Sequence, residues 1–391
     1  MRAAHFFIAA IFFFSSITFS FAILVTDARA DDSEPSRYTP AKQAFIMDFN
    51  SGMTLLNKNA DERMPTSSMS KVMTMYMVFD ALDDGRITLN DTFRVSEKAW
   101  RKGGSKMFVE VGDDVKVEDL IRGVIIQSGN DATIVLAEAL AANEDKFAEI
   151  MTEKAQEIGA ANSNFVNASG WPAPDHYSNA RDLATIAGAM IRNFDAYFHY
   201  YSETEFTYND ITQRNRNPLL YQNIGADGMK TGHTKAAGYG LIGTGKRDGR
   251  RVIMVINGLD SVSERAKEAR RLMSWALRSF TNKTLFSEQD IVQTVPVVMG
   301  TEKEIDMVVS EDILVTVPKG QEDDITVEAE YIAPLKAPIK KGDLIGQLTV
   351  KVPETGTIKA PLMAGQSSEE LGFFGKVIAK AKLMIIGGPG S

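Results

Sequence analysis

The chain has 391 residues, a formal net charge of −8, four histidines and no cysteine. The missing thiols exclude cysteine nucleophiles, disulfide frameworks and thiolate metal sites. His5, His176, His199 and His233 include no pair at a helical metal-binding spacing, and no Lys/Arg block marks a nucleic-acid surface, so neither a metal or other cofactor nor nucleic acid is expected.

Arg2 is followed by an apolar run from Phe6 to Leu24 and then by Ala28-Arg29-Ala30. That is the pattern of a secretory signal peptide over residues 1–30. A retained membrane anchor is the competing reading, because the run lies near the lower length limit of a span. The small-residue cleavage site favours removal and an exported protein. What remains suffices for two or three domains of roughly 150 residues each.

Two short apolar runs flank Asn50-Ser51-Gly52 and predict a β-hairpin. Residues 68–82 read as a helix, with hydroxyl residues at its start and Asp83-Asp84-Gly85 at its end. Its apolar residues, Val72, Met73, Met75, Tyr76, Val78, Phe79 and Leu82, nearly encircle the axis, which predicts burial on most sides. Further helical stretches follow at 117–126, 132–142, 145–158 and 179–193, then strands at 238–244 and 251–259 and a helix over 262–280. The early hairpin alone cannot bury a face, so the first and last strands are expected to share one sheet, flanked by helices, in a domain spanning 31–283. From 284 to 366 short alternating runs with turns between them predict a small all-β sandwich. In residues 367–391, Phe373, Phe374, Val377, Ile378, Ala381 and Met384 can gather opposite Lys376, Lys380 and Lys382, as in an amphipathic helix.

Ser68-Met69-Ser70-Lys71 sets a serine and a lysine one helical turn apart on one face. Lysine is rarely buried without a partner, and burial lowers its pKa, so Lys71 is positioned to take a proton from Ser68. A serine at the start of a helix also meets backbone N–H groups that favour an oxyanion. The same letters describe a capping serine and a lysine that snorkels to solvent. Gln127-Ser128-Gly129-Asn130-Asp131 breaks two helical stretches and presents a hydroxyl and an amide, for proton transfer and for holding a substrate amide, although Ser-x-Asn is also a common turn. Asp227-Gly228-Met229-Lys230-Thr231-Gly232-His233 precedes the strand at 238. It offers a cation and a hydroxyl to a carboxylate, with a glycine for close approach; a strand-entry turn is the alternative.

Ser-x-x-Lys, Ser-x-Asn and Lys-Thr-Gly in this order, in helix, loop and strand contexts, form the trio of penicillin-binding proteins and class A β-lactamases. From about residue 38 onward the chain resembles the low-molecular-mass penicillin-binding proteins of the type-5 group, the D-alanyl-D-alanine carboxypeptidases. The resemblance implies a transpeptidase-like fold and attack by Ser68 on the penultimate D-alanine carbonyl of a peptidoglycan stem peptide, with an acyl-enzyme that water resolves. It implies Lys71 as base, Ser128 and Lys230 in the proton network, Asn130 on the substrate amide and Thr231 on the carboxylate. Backbone N–H groups of Ser68 and His233, the latter following Gly232, would form the oxyanion hole. Arg265 resembles the family's carboxylate-supporting arginine, and a solvated helix charge fits it equally. β-Lactams are expected to acylate Ser68. The tail resembles the family's anchor on the outer face of the inner membrane; packing on the β domain is the other reading. A class A β-lactamase would need a positioned glutamate, and residues 162–181 contain none. A D,D-endopeptidase and a catalytically silent wall scaffold are the remaining alternatives.

Overall fold

The computed structural model describes residues 38–378, so the leader at 1–30 and the tail beyond 378 lie outside the described residues. The described residues form two compact units, which divide between Ser279 and Phe280.

The first unit is built on a five-stranded antiparallel sheet. Its strands are β1 (Gln43–Asp48), β2 (Thr54–Lys58), β3 (Ala226–Thr234), β4 (Gly238–Arg247) and β5 (Arg250–Leu259), in the order β2-β1-β5-β4-β3. The hairpin β1–β2 thus joins the late strands, with Gln43 opposite Asn257 and Asp48 opposite Val252. β5 is buried along its whole length, as a central strand covered on both faces must be. The longer helices around the sheet are α1 (Lys71–Asp83), α2 (Val117–Ile125), α3 (Asn130–Leu140), α4 (Glu144–Glu157), α5 (Ala180–Asn193) and α6 (Val262–Arg278). α5 packs on β1 and β5, and α6 on β4 and β5.

The apolar girdle of α1 does what its pattern requires: Val72, Met73, Met75, Val78 and Phe79 are fully buried, and α2, α3, α4 and α5 all pack against this helix. Two boundaries differ from the sequence reading. Residues 67–70 form a 3₁₀ turn, so Ser68 precedes the α-helix rather than heading it. Phe280 leaves α6 to pair with Pro318 as the first residue of a strand. The sequence also conceals two small antiparallel strand pairs, 92–94 with 114–116 and the hairpin 205–208 with 211–214, whose strands are too short to show a period.

The second unit is all-β, with a six-stranded sheet and a two-stranded pair around Val295, Ile305, Met307, Val315, Leu348, Val350 and Leu362. Residues 367–371 are not helical. Ser368 bridges Ile339 and Glu370 bridges Gly300, and helix begins only at residue 373, where Phe373, Phe374, Val377 and Ile378 are exposed. Among the described residues no helix is long and apolar enough to cross a membrane.

Candidate active site

Ser67 adopts a left-handed φ of +45°, and the 3₁₀ turn that follows is closed by Met69 N–H donating to Thr66 O at 3.1 Å. The turn exposes one side chain: from Thr66 to Phe79 every residue is buried except Ser68. The Ser67 hydroxyl is itself buried and has no hydrogen-bond partner. Two glycines make room for the turn. A Cβ at Gly232 would lie 2.5 Å from Ser67 Oγ, and one at Gly170 would lie 1.8 Å from Ser67 O.

Lys71 is wholly buried, and its Nζ donates to Ser68 Oγ (2.9 Å), Asn130 Oδ1 (2.7 Å) and the Ser169 carbonyl (2.7 Å). Loss of hydration lowers its pKa to about 7, assisted by the positive charges of Arg216 and Lys102 and opposed by Asp131. The reading of Lys71 as a snorkelling surface charge is therefore wrong. A neutral Lys71 keeps two N–H donors for Asn130 and Ser169 and turns its lone pair toward the Ser68 hydroxyl.

Lys230 reaches across from β3, buried, and donates to Ser128 Oγ at 2.9 Å. Burial first, and then Lys71, Arg216 and Arg265, hold its pKa well below that of an ordinary lysine. Ser128 sits in the break between α2 and α3 with a left-handed φ of +59°. Asn130, the first residue of α3, donates from Nδ2 to Gly103 O at 2.9 Å, so one amide joins Lys71 to the opposite wall of the cleft. That wall is pinned by Asp131, whose carboxylate accepts from the backbone N–H groups of Met107 (2.8 Å) and Phe108 (2.9 Å).

Ser68, Lys71 and Asn130 thus form one hydrogen-bonded group and Ser128 and Lys230 a second, and the charge of Lys71 acts on Lys230 across the gap between them. Thr231 is buried beside Lys230, and Gly232 packs on the nucleophile turn. His233 is exposed, with its ring stacked on Tyr239 at 3.9 Å. Arg265 is not a solvated helix charge: it is 6% exposed, its guanidinium lies 5.9 Å from the Tyr239 ring centroid, and its Nε has no partner. Burial lowers its pKa to about 10. With Arg216, which donates to Ser105 Oγ at 2.6 Å, and Lys230, it gives one end of the cleft a positive field.

Three contributors escaped the sequence reading. Ser169 acts through its backbone carbonyl, which carries no side-chain signal; Gly103, in the Gly103-Gly104-Ser105 loop that resembles the family's flexible loop beside the site, acts through its carbonyl as well. Arg216 lies in an unremarkable loop. His176, buried, accepts from Val166 N–H at Nδ1 (3.2 Å) and therefore donates from Nε2 to Ser70 Oγ (2.7 Å), tying the loop that carries Ser169 to the nucleophile turn. Asp131 had a visible signal, an acid in the first turn of a helix. Among the described residues no group of three His, Asp or Glu side chains is placed to hold a metal ion.

The family profile described as D-alanyl-D-alanine carboxypeptidase matches residues 29–261, and that of the penicillin-binding protein 5 C-terminal domain matches 280–370. The chain is 35% identical over 367 residues to the D-alanyl-D-alanine carboxypeptidase DacC of Escherichia coli, covering 92% of each chain. It is 37% identical to DacA of Haemophilus influenzae, over 86% of this chain and 87% of that one. The crystal structure of penicillin-binding protein 5 from Haemophilus influenzae superposes with a TM-score of 0.77 at 35% identity, covering 85% of this chain and all of that one. The carboxypeptidase DacD from Francisella tularensis gives 0.76 at 28% identity, over 90% of this chain and 98% of that one. With the two profiles falling on the two compact units, and with the serine–lysine cluster at the heart of the first, the chain belongs to the serine-type D-alanyl-D-alanine carboxypeptidases that carry the penicillin-binding protein 5 C-terminal domain.

Proposed function

We propose that this carboxypeptidase removes the terminal D-alanine of peptidoglycan pentapeptide stems with Ser68 as nucleophile and Lys71 as its base. The carrying observation is the buried Lys71 amine, held near pKa 7 and 2.9 Å from Ser68 Oγ. Lys71 takes the hydroxyl proton as Oγ adds to the penultimate D-alanine carbonyl, and backbone N–H groups of Ser68 and His233 receive the oxyanion. The proton then passes through Ser128 and Lys230 to the departing D-alanine nitrogen, leaving an acyl-Ser68 ester. Water, losing its proton to the same network, releases the shortened peptide.

The substrate's carboxylate is drawn to the end of the cleft marked by Lys230, Thr231, Arg216 and Arg265. Its backbone lies along β3, the outer strand of the sheet, which has one edge unpaired by other strands. A β-lactam presents the same carbonyl and carboxylate to the same groups. Turnover of the penicilloyl ester is slow, because the segment 162–181 supplies no glutamate and turns the Ser169 carbonyl toward Lys71. Residues 1–30 direct export to the periplasm. The exposed apolar side chains from Phe373 to Ile378 begin a helix that lies on the outer face of the inner membrane.

The test pairs fluorescent-penicillin labelling with D-alanine release from a pentapeptide stem, for the wild type and Ser68→Ala. Both signals are expected from the wild type and neither from the variant. Labelling or release that persists in Ser68→Ala would overturn the assignment.

A further inference from the structure

Residues 167–171 present the Ser169 carbonyl to Lys71, yet they form neither strand nor helix, so their placement must come from side chains. Asn167 winds the segment on itself: its Oδ1 accepts from the N–H groups of Ser169 (3.2 Å) and Trp171 (2.9 Å). Next to Ser169, the attachment to the surrounding helices runs through Ala168. Thr74 Oγ1, from α1, donates to the Ala168 carbonyl at 2.5 Å, and Glu144 Oε1 accepts from the Ala168 N–H at 3.2 Å.

Glu144 is the first residue of α4, where the positive end of a helix favours an acid. That stabilisation is available in water, and the next residue, Asp145, is exposed to it. Glu144 is instead 4% exposed, which costs hydration that its partners must offset. Those partners are the Ala168 N–H and Lys98 Nζ, the latter 2.8 Å from Oε2. The Lys98 side chain is 51% exposed and also feels Asp145 and Glu138, and an ion pair so open to water contributes little. The bond to the loop backbone is the contact that gives the buried carboxylate a task.

We infer that Glu144 is a positioning residue for acylation: through the Ala168 N–H it holds the Ser169 carbonyl against Lys71. The inference rests on Lys71 as the base for Ser68 and says what keeps that base aimed. A neutral Lys71 gives one N–H to Ser169 O, which helps direct its lone pair at Ser68, and a charged Lys71 is stabilised by the same acceptor. If the carbonyl withdraws, the amine loses its aim and the ammonium loses a partner. Acylation then slows, and its pH limb moves down because the proton leaves Lys71 more readily. The charged groups acting on Lys71 are Arg216, Lys102 and Asp131, with Lys230 and His176 responding to it. Among the described residues none of these pairs with Glu144.

Stopped-flow acylation by a fluorescent penicillin over about pH 5 to 9, on protein whose melt shows it folded, compares wild type with Glu144→Gln, Glu144→Asp and Glu144→Ala. Glutamine keeps the reach and an acceptor oxygen but loses the charge; aspartate keeps the charge but loses the reach. Positioning predicts that Glu144→Gln stays within about threefold of wild type, whereas Glu144→Asp and Glu144→Ala lose about tenfold or more on the plateau and shift the limb down by roughly half a pH unit. Thr74→Val removes the other anchor of Ala168 while keeping its shape. It should act in the same direction, and it carries the test if the Glu144 variants do not fold. Wild-type rates and midpoint in Glu144→Asp overturn the inference, and so does a Glu144→Gln that falls as far as Glu144→Ala, since the effect would then belong to charge. Lowered melting midpoints with unchanged acylation also overturn it, because Glu144 would then serve stability alone. A wild type without a limb near pH 7 removes Lys71 as the base instead, and the order of plateau rates, glutamine above aspartate and alanine, then still decides whether Glu144 places the Ser169 carbonyl.

Discussion

Titrating the acylation step asks whether Lys71 is a free amine at neutral pH. A lysine at 10.5 is neutral in about one molecule in three thousand at pH 7, whereas at about 7 half the molecules carry the base. Burial beside Arg216 and Lys102 therefore raises the supply of base roughly a thousandfold. Acylation should fall about tenfold per pH unit below 7 and level off above it. Because the charge of Lys71 lowers the pKa of Lys230, the two titrations are coupled and the midpoint belongs to the pair. Arg216→Gln removes a cation that makes protonation of Lys71 unfavourable, so the variant's lysine keeps its proton longer and the limb moves up by roughly half to one pH unit. Stopped-flow acylation by a fluorescent penicillin, over about pH 5 to 9, measures both curves. A wild-type midpoint above about 9, or a limb that stays put or moves down in Arg216→Gln, refutes the assignment.

Three further outcomes follow from packing and charge. His176 is held at about 4, against an ordinary 6.5, by burial and by Lys71; its neutral form contributes stability that is complete above 6.5 and lost as pH falls through 4, about 3 kcal/mol in all. Denaturant melts of wild type and His176→Gln should therefore converge by about that amount between the two pH values, and a constant gap would contradict it. Gly170→Ala forces a Cβ against the Ser67 carbonyl at a φ of +77°, which should lower stability by about 3 kcal/mol or more and slow acylation; an unchanged melting midpoint would show that the turn yields freely. Deleting residues 371–391 should move the protein from the membrane to the soluble fraction, and undiminished membrane partitioning would remove the tail as anchor.

What the sequence made legible was local. Ser68 and Lys71 declare themselves because one helical turn fixes their relation, and the apolar girdle of α1 makes an immersed lysine the natural reading. Ser128, Asn130 and Lys230 were readable as types in fixed contexts. Their union was not, because the Lys230–Ser128 contact spans 102 residues and needs β3 at the edge of a sheet whose centre comes from both ends of the domain. The carbonyl of Ser169 could not be found from side chains at all. Arg265 illustrates the opposite difficulty: a helix arginine reads alike whether solvated or sunk, and only the arrangement of β4 under α6 places Tyr239 beneath it.

Ser67 bears on how this enzyme can be hardened. Its left-handed φ costs a non-glycine residue about 1–2 kcal/mol, and its unpartnered hydroxyl adds about 1–3 kcal/mol of lost hydration. Glycine would accept the same φ and remove the hydroxyl, so a chain screened for heat resistance alone should drift toward glycine next to its own nucleophile. The substitution sits one residue from the nucleophile, so thermostabilised libraries of this protein should be counter-screened for acylation there first.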